Sequence, residues 1–209
     1  EHSVTRREVR TERDGSLTVL ADKFEGKRLN APNDVVVKYD GSVWFTDPLF
    51  GINGEWEGTR ATPEQATTNV YRIGRDGAVT AVVTDIVNPN GLAFSPDESL
   101  MYVADMSVID FPTLGRRELR VYQVEGDRLS NGKWFTDVAP GIPDGFCVDR
   151  RGNVWCSCAD GVIVFDSSGN RIGKIPLPEC VSNCTFGGPD GDELYITATR
   201  SLYRVRIRL

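Results

Sequence analysis

The chain has 209 residues, of which 26% are charged and 40% hydrophobic, with a formal net charge of -6. That is ordinary for a globular protein and long enough for one domain with a sizeable core. The negative balance leaves nothing to neutralise a run of phosphates, which excludes nucleic acid, and no apolar run is long enough to span a bilayer.

In chain order, Glu1-His2-Ser3 opens without an initiator Met. The beginning therefore says little about targeting; the compartment stays open, with the cytoplasm as the default expectation. The short basic stretches RREVR (6–10), RR (116–117) and RVRIR (204–208) alternate like the solvent face of a strand. Residues 4–20 predict one hairpin. NDVVVKYDGSVWFTD (33–47) predicts two strands around a tight turn, and the irregular stretch 48–68 follows, with one helical turn expected at TPEQATT (62–68). NVYRI and AVTAVV (69–83) make a second hairpin. NGLAFSPDESLMYVAD (90–105), DGFCVDRRGNVWCSCAD (144–160) and NCTFGGPDGDELYITAT (183–199) repeat the first pattern. Further hairpins follow at 118–137 and 161–177, and a single strand at 201–207. Asp-Gly pairs at 14–15, 40–41, 76–77, 144–145, 160–161 and 190–191 read as turns.

The repeat decides the fold class. Asn33, Asn90, Asp144 and Asn183 each lead to an aromatic eleven or twelve positions on: Trp44, Tyr102, Trp155 and Tyr195. Four-stranded units recurring every ~40–58 residues are the signature of an all-β propeller. A β-sandwich is the competing architecture, but it would not repeat an inner-strand motif in phase. The expectation is a single propeller domain over 1–209, six-bladed when complete. Seventeen strands are predicted, about four blades plus part of another, so roughly the first blade and a half of the fold would be lacking.

The innermost strand of each blade lines the central channel, so its first residue sits at the mouth. Asn33, Asn90, Asp144 and Asn183 would converge there. They offer hard oxygen donors, which suit one divalent cation: Ca2+ first, with Mg2+, Mn2+ or an open Zn2+ site as alternatives. Taken singly, each reads first as a turn former; it is the recurrence in phase after proline that favours a site.

NAPNDVVV (30–37) with DGSVWFTDP (40–48), NPNGLAFSPD (88–97) with LMYVADM (100–106), PDGFCVDRRGNVW (143–155) and NCTFGGPDGDELYITA (183–198) resemble the SMP-30/gluconolactonase family, in its bacterial gluconolactonase branch. The resemblance implies a six-bladed propeller with one divalent metal that hydrolyses sugar lactones. It implies Asn90 and Asp144 as metal ligands. Asn33 matches a position that binds metal in some relatives and substrate or water in others. The family's third ligand, a Glu near the domain start, has no counterpart here.

The implied chemistry is lactone opening by a Lewis acid, with Asp144 as the catalytic proton carrier. Asn33 would orient water or substrate. Asn183, Asn30 and Arg28 could meet sugar hydroxyls, and the loop 48–68, with Phe50, Trp56 and Glu57, could form a rim. The partner expected is a small-molecule lactone, with no nucleic acid or membrane and an open oligomeric state. The alternative is a non-catalytic binding propeller or an inactive truncated relative.

Other chemistry is weak. The only histidine is His2, so a Ser-His-Asp triad lacks an interior base. Cys147, Cys156 and Cys158 read as core; Cys180 and Cys184 could pair across a turn, with free thiols the preferred reading. Asn183-Cys-Thr has the form of a glycosylation acceptor, made inaccessible if it lines a channel.

Overall fold

The computed structural model describes residues 4–208, so His2 lies outside the described residues. The chain divides into two compact units. One holds the residues through Asn90 together with Glu125–Leu129; the other holds Gly91–Val124 and Ser130–Leu209.

The first unit begins with β1 (Glu8–Thr11) and β2 (Leu17–Ala21), then the small hairpin β3 (Lys23–Phe24) and β4 (Lys27–Arg28). A four-stranded antiparallel sheet follows: β5 (Val35–Val37), β6 (Val43–Asp47), β7 (Asn69–Ile73) and β8 (Val79–Val83), neighbours in chain order. Between β6 and β7 lies a short helix α1 (Phe50–Asn53). The helical turn thus sits at 50–53, not at 62–68. Burial explains the difference: Ile52 is buried and fixes α1. Gln65 instead donates from Nε2 to the carbonyls of Phe24, Lys27 and Arg28 at 3.0–3.2 Å, which ties its bent, non-helical segment to the small hairpin.

The next sheets are β9 (Pro89–Phe94), β10 (Leu100–Asp105), β11 (Glu118–Glu125) and β12 (Arg128–Asp137), then β13 (Phe146–Val148), β14 (Val154–Cys158), β15 (Gly161–Phe165) and β16 (Arg171–Pro176). The last is three-stranded: β17 (Val181–Gly187), β18 (Glu193–Ala198) and β19 (Leu202–Arg206). Up-and-down four-stranded sheets repeated along the chain are propeller blades, so the fold class is the one expected. Among the described residues there are nineteen strands. The two beyond the expected seventeen are β3 and β4, too short for a period-two pattern to register.

The aromatic in each repeat has a structural reason. Trp44 is fully buried, and its indole N–H donates to Ser42 Oγ at 2.9 Å; Ser42 Oγ in turn donates to Asp40 Oδ1 at 2.6 Å. Trp155 donates directly to Asp149 Oδ2 at 2.9 Å. A ring large enough to fill the sheet interface thereby also ties down the turn before its strand. The turn carboxylates accept N–H groups two residues on, as at Asp40 to Ser42 and Asp166 to Ser168. Hydrogen bonds from Ser95, then Ser99, hold Asp97 down to about 2.

Within the second unit, Tyr102, Leu119, Phe135, Phe146, Cys156 and Ile163 form one core between consecutive sheets, and Trp155, Val162, Cys184, Leu194 and Ile196 form the next. Cys156 and Cys158 are buried there, as read from the sequence. The C-terminal RVRIR alternates as expected, with Arg204 and Arg206 exposed. RREVR does not: Arg6 and Glu8 are 5% and 1% exposed. Arg6 Nε reaches the carbonyls of Leu29 and Asn30 at 2.7 and 2.9 Å, a tertiary partner that alternation cannot reveal. Among the described residues, no helix is long and apolar enough to cross a membrane.

Candidate functional site

Two glycines set the geometry in the second unit. Gly91 follows Asn90 and Gly145 follows Asp144, yet neither has a positive φ. The pair Asp144-Gly145 is therefore not the turn that its composition suggests. A Cβ on Gly91 would fall on the carbonyl oxygen of Asp144, and one on Gly145 would fall on the carboxamide of Asn183. The glycines are needed for close approach between the openings of successive inner strands. Gly145 N–H also donates to Ser182 O at 2.7 Å, stitching the entry of β13 to β17. Gly91→Ala, whose Cβ would meet the backbone carbonyl of Asp144, is expected to destabilise by about 1–3 kcal/mol through overpacking. Urea unfolding checks this, and an unchanged midpoint would reject the close-approach reading.

Asp144 is half-buried. Its N–H donates to Ser157 Oγ at 3.1 Å, and Ser157 N–H donates to Gly145 O at 3.2 Å. In the first unit the same pattern recurs. Asp34 N–H donates to Thr46 Oγ1 at 3.1 Å, and Thr46 N–H returns to Asp34 O at 3.0 Å. Asn33, also half-buried, donates its N–H to Thr46 O at 2.9 Å. A hydroxyl on the second strand thus fixes the entry of the first in both copies. Asn90 is 4% exposed, the second residue of β9. Asn183 is exposed, against the expectation of inaccessibility, and its Oδ1 accepts the N–H of Cys184 at 2.8 Å. Asn183 lies within β17, not ahead of it.

A model of the SMP-30/Gluconolactonase/LRE-like region matches residues 2–200. The chain belongs to this family. It is 31% identical to a gluconolactonase of Zymomonas mobilis over 91% of this chain and 54% of that protein. It is 30% identical to a pentonolactonase of Haloferax volcanii over 90% of this chain and 65% of that protein. A solved gluconolactonase from Xanthomonas campestris superposes with a TM-score of 0.90 at 40% identity, over 99% of this chain and 67% of that one. The chain therefore spans between about half and two thirds of these relatives' lengths.

In this SMP-30/gluconolactonase family member, the segment leading to Asn33 is held by a residue the motif reading passed over. Asp47, fully buried, accepts the N–H of Asn30 and of Ala31, each at 2.8 Å. Asn30 is itself buried, with Nδ2 given to the carbonyls of Asp47 and Thr67 at 3.3 Å, while its Oδ1 has no hydrogen-bond partner. Arg28 is exposed; its guanidinium donates to Thr5 O at 3.3 Å, and its N–H to Glu64 Oε2 at 2.9 Å. Of the loop residues, Trp56 stands 95% exposed and Phe50 is half-buried at the start of α1. Asp47 did leave a signal: Asp47 and Asp105 stand in phase, each three residues after its blade's aromatic. Asp105 is also buried and accepts the N–H of Ser107 at 2.9 Å.

Burial raises the Asp47 carboxyl from 3.8 to about 7, against the two N–H groups that favour its charged form. The folded protein then holds a proton that the unfolded chain releases above its ordinary value. The Asp47 contribution to unfolding free energy accordingly falls as pH rises from about 4 to about 7, then levels. Asp47→Asn is expected to flatten that slope in denaturation measured across this range. Asp47→Ala, which orphans two buried N–H groups, is expected to cost about 2–4 kcal/mol.

Among the described residues, no group of three or more His, Cys, Asp or Glu side chains gathers as a metal centre. A cation held by this chain would draw chiefly on amide, hydroxyl and carbonyl oxygens with single carboxylates. The in-phase Asn and Asp residues are donors of that kind, and they fit a hard divalent ion.

Proposed function

We propose that the chain is part of a hydrolase that opens sugar lactones of the aldonolactone class. We further propose that its motif residues hold one divalent cation, with Ca2+ as the first choice. The observation that carries the reading is the family match over residues 2–200, which includes every in-phase polar residue. The glycine-dependent approach of Gly91 to Asp144 and of Gly145 to Asn183 supports it within the second unit.

Motif phase assigns Asn90 and Asp144 as cation donors, with Asn33 as a further donor or as the residue that orients water. The cation supplies Lewis acidity toward the lactone carbonyl. Asp144 takes a proton from the attacking water as the new O–C bond forms, and returns it to the ring oxygen as the acyl C–O bond breaks. Asn183, exposed beside Gly145, would meet a sugar hydroxyl in this reading. The buried Asn30 acts through the backbone it anchors, and Arg28 reaches a ligand only by leaving Thr5.

The test follows acid release from gluconolactone at constant pH, with the spontaneous rate subtracted. Turnover proportional to protein concentration is expected. A rate no greater than the uncatalysed one, from folded and metal-loaded protein, would leave a non-catalytic binding propeller as the reading.

A further inference from the structure

The sequence leaves a pair of Cys180 with Cys184 possible and prefers free thiols; the thiols are free, and the two that the fold brings together are different ones. Cys147 on β13 and Cys184 on β17 place their sulfurs 3.8 Å apart, across two sheets and 37 residues of chain. Cys180 is exposed, and all five cysteines are free thiols. From this geometry we infer that Cys147 and Cys184 form a reversible dithiol/disulfide pair that staples the openings of two successive inner strands.

The two thiols are unequal. Cys147 is half-buried, whereas Cys184 is 4% exposed and hydrogen-bonds through sulfur to Trp155 O at 3.2 Å. Cys147 is thus the less buried of the two residues and is assigned as the attacking sulfur, with Cys184 as the resolving one. The strands that carry them already meet through the Gly145 to Ser182 bond, two residues before each cysteine, so the backbones are close where the staple would form. With a peroxide as oxidant, Cys147 sulfur attacks one peroxide oxygen, the O–O bond breaks, and a sulfenic acid and one water result. Cys184 sulfur then displaces the hydroxyl from Cys147, forming S–S and a second water that carries the thiol proton. Two thiols lose two electrons in total, and an external dithiol restores them by exchange. The hydrogen bond to Cys184, and then burial, raise the Cys147 thiol well above its ordinary value. Oxidation is accordingly slow at neutral pH and faster in mild alkali, because the thiolate is the reacting form.

The experiment treats the full chain with hydrogen peroxide at pH 8.5, counts thiols after denaturation, and maps tryptic peptides without reduction. Cleavage separates Cys147 on 134–150 from Cys180 and Cys184 on 175–200. The expected result is a loss of two thiols and a cross-link between these peptides. It persists in Cys180→Ser and is absent from Cys147→Ser and Cys184→Ser. The melting temperature should rise by about 5 °C or more and fall back with dithiothreitol, because a loop of this length constrains the unfolded chain. Five thiols remaining, a cross-link that survives Cys184→Ser, or dimers between chains as the sole product would each overturn the pair.

Discussion

Replacing Asp144 by Asn should lower kcat on sugar lactones on the order of a hundredfold or more, with KM nearly unchanged. General base catalysis is typically worth 10²–10⁴-fold. The amide keeps an oxygen for the cation but cannot take a proton from water. The substitution is also gentle on structure, since the strand entry is fixed through the backbone: Asp144 N–H to Ser157 Oγ and Gly145 N–H to Ser182 O. An unaltered urea midpoint beside a collapsed kcat separates the chemical role from a folding defect. Near-wild-type kcat would reduce Asp144 to a ligand and assign the proton to another group.

Exhaustive chelation should bring lactone opening down to the spontaneous rate, and adding back Ca2+ or another hard divalent ion should restore it. Oxygen donors such as Asn90 and Asp144 suit these cations, and the carbonyl of a lactone needs an electrophile that an all-amide surface does not supply. Asn90→Asp sharpens the test. It keeps a donor oxygen and adds negative charge, so the ion is held more tightly while its Lewis acidity falls. Retained metal with a modest loss of rate is expected, compared at matched occupancy. Full activity with metal content measured as nil would reject the cation altogether.

The strands were legible because period-two alternation and Asp-Gly turns are local. The hairpins 69–83 and 118–137 appear as β7–β8 and β11–β12 with boundaries close to those read. The same locality misled at Asp144-Gly145. Its composition says turn, but the missing Cβ leaves room for the carboxamide of Asn183, 38 positions further along. It misled again at RREVR, where Arg6 turns inward to carbonyls of Leu29 and Asn30. In each case the deciding partner lies outside any window that a pattern can scan.

By itself the sequence determined the all-β propeller class, the repeat unit and the in-phase polar residue of each repeat. These follow from side-chain period and turn chemistry, which operate over a few neighbouring residues. Only the tertiary structure decided which of those residues are committed elsewhere. It buried Asn30 under Asp47, tied Arg28 to Thr5, left Asn183 open, and brought Cys147 rather than Cys180 to Cys184. Such facts depend on which strands of different sheets become neighbours, and the packing of apolar faces fixes that. Every repeat presents a similar apolar face, so no single repeat encodes its polar contacts with the next.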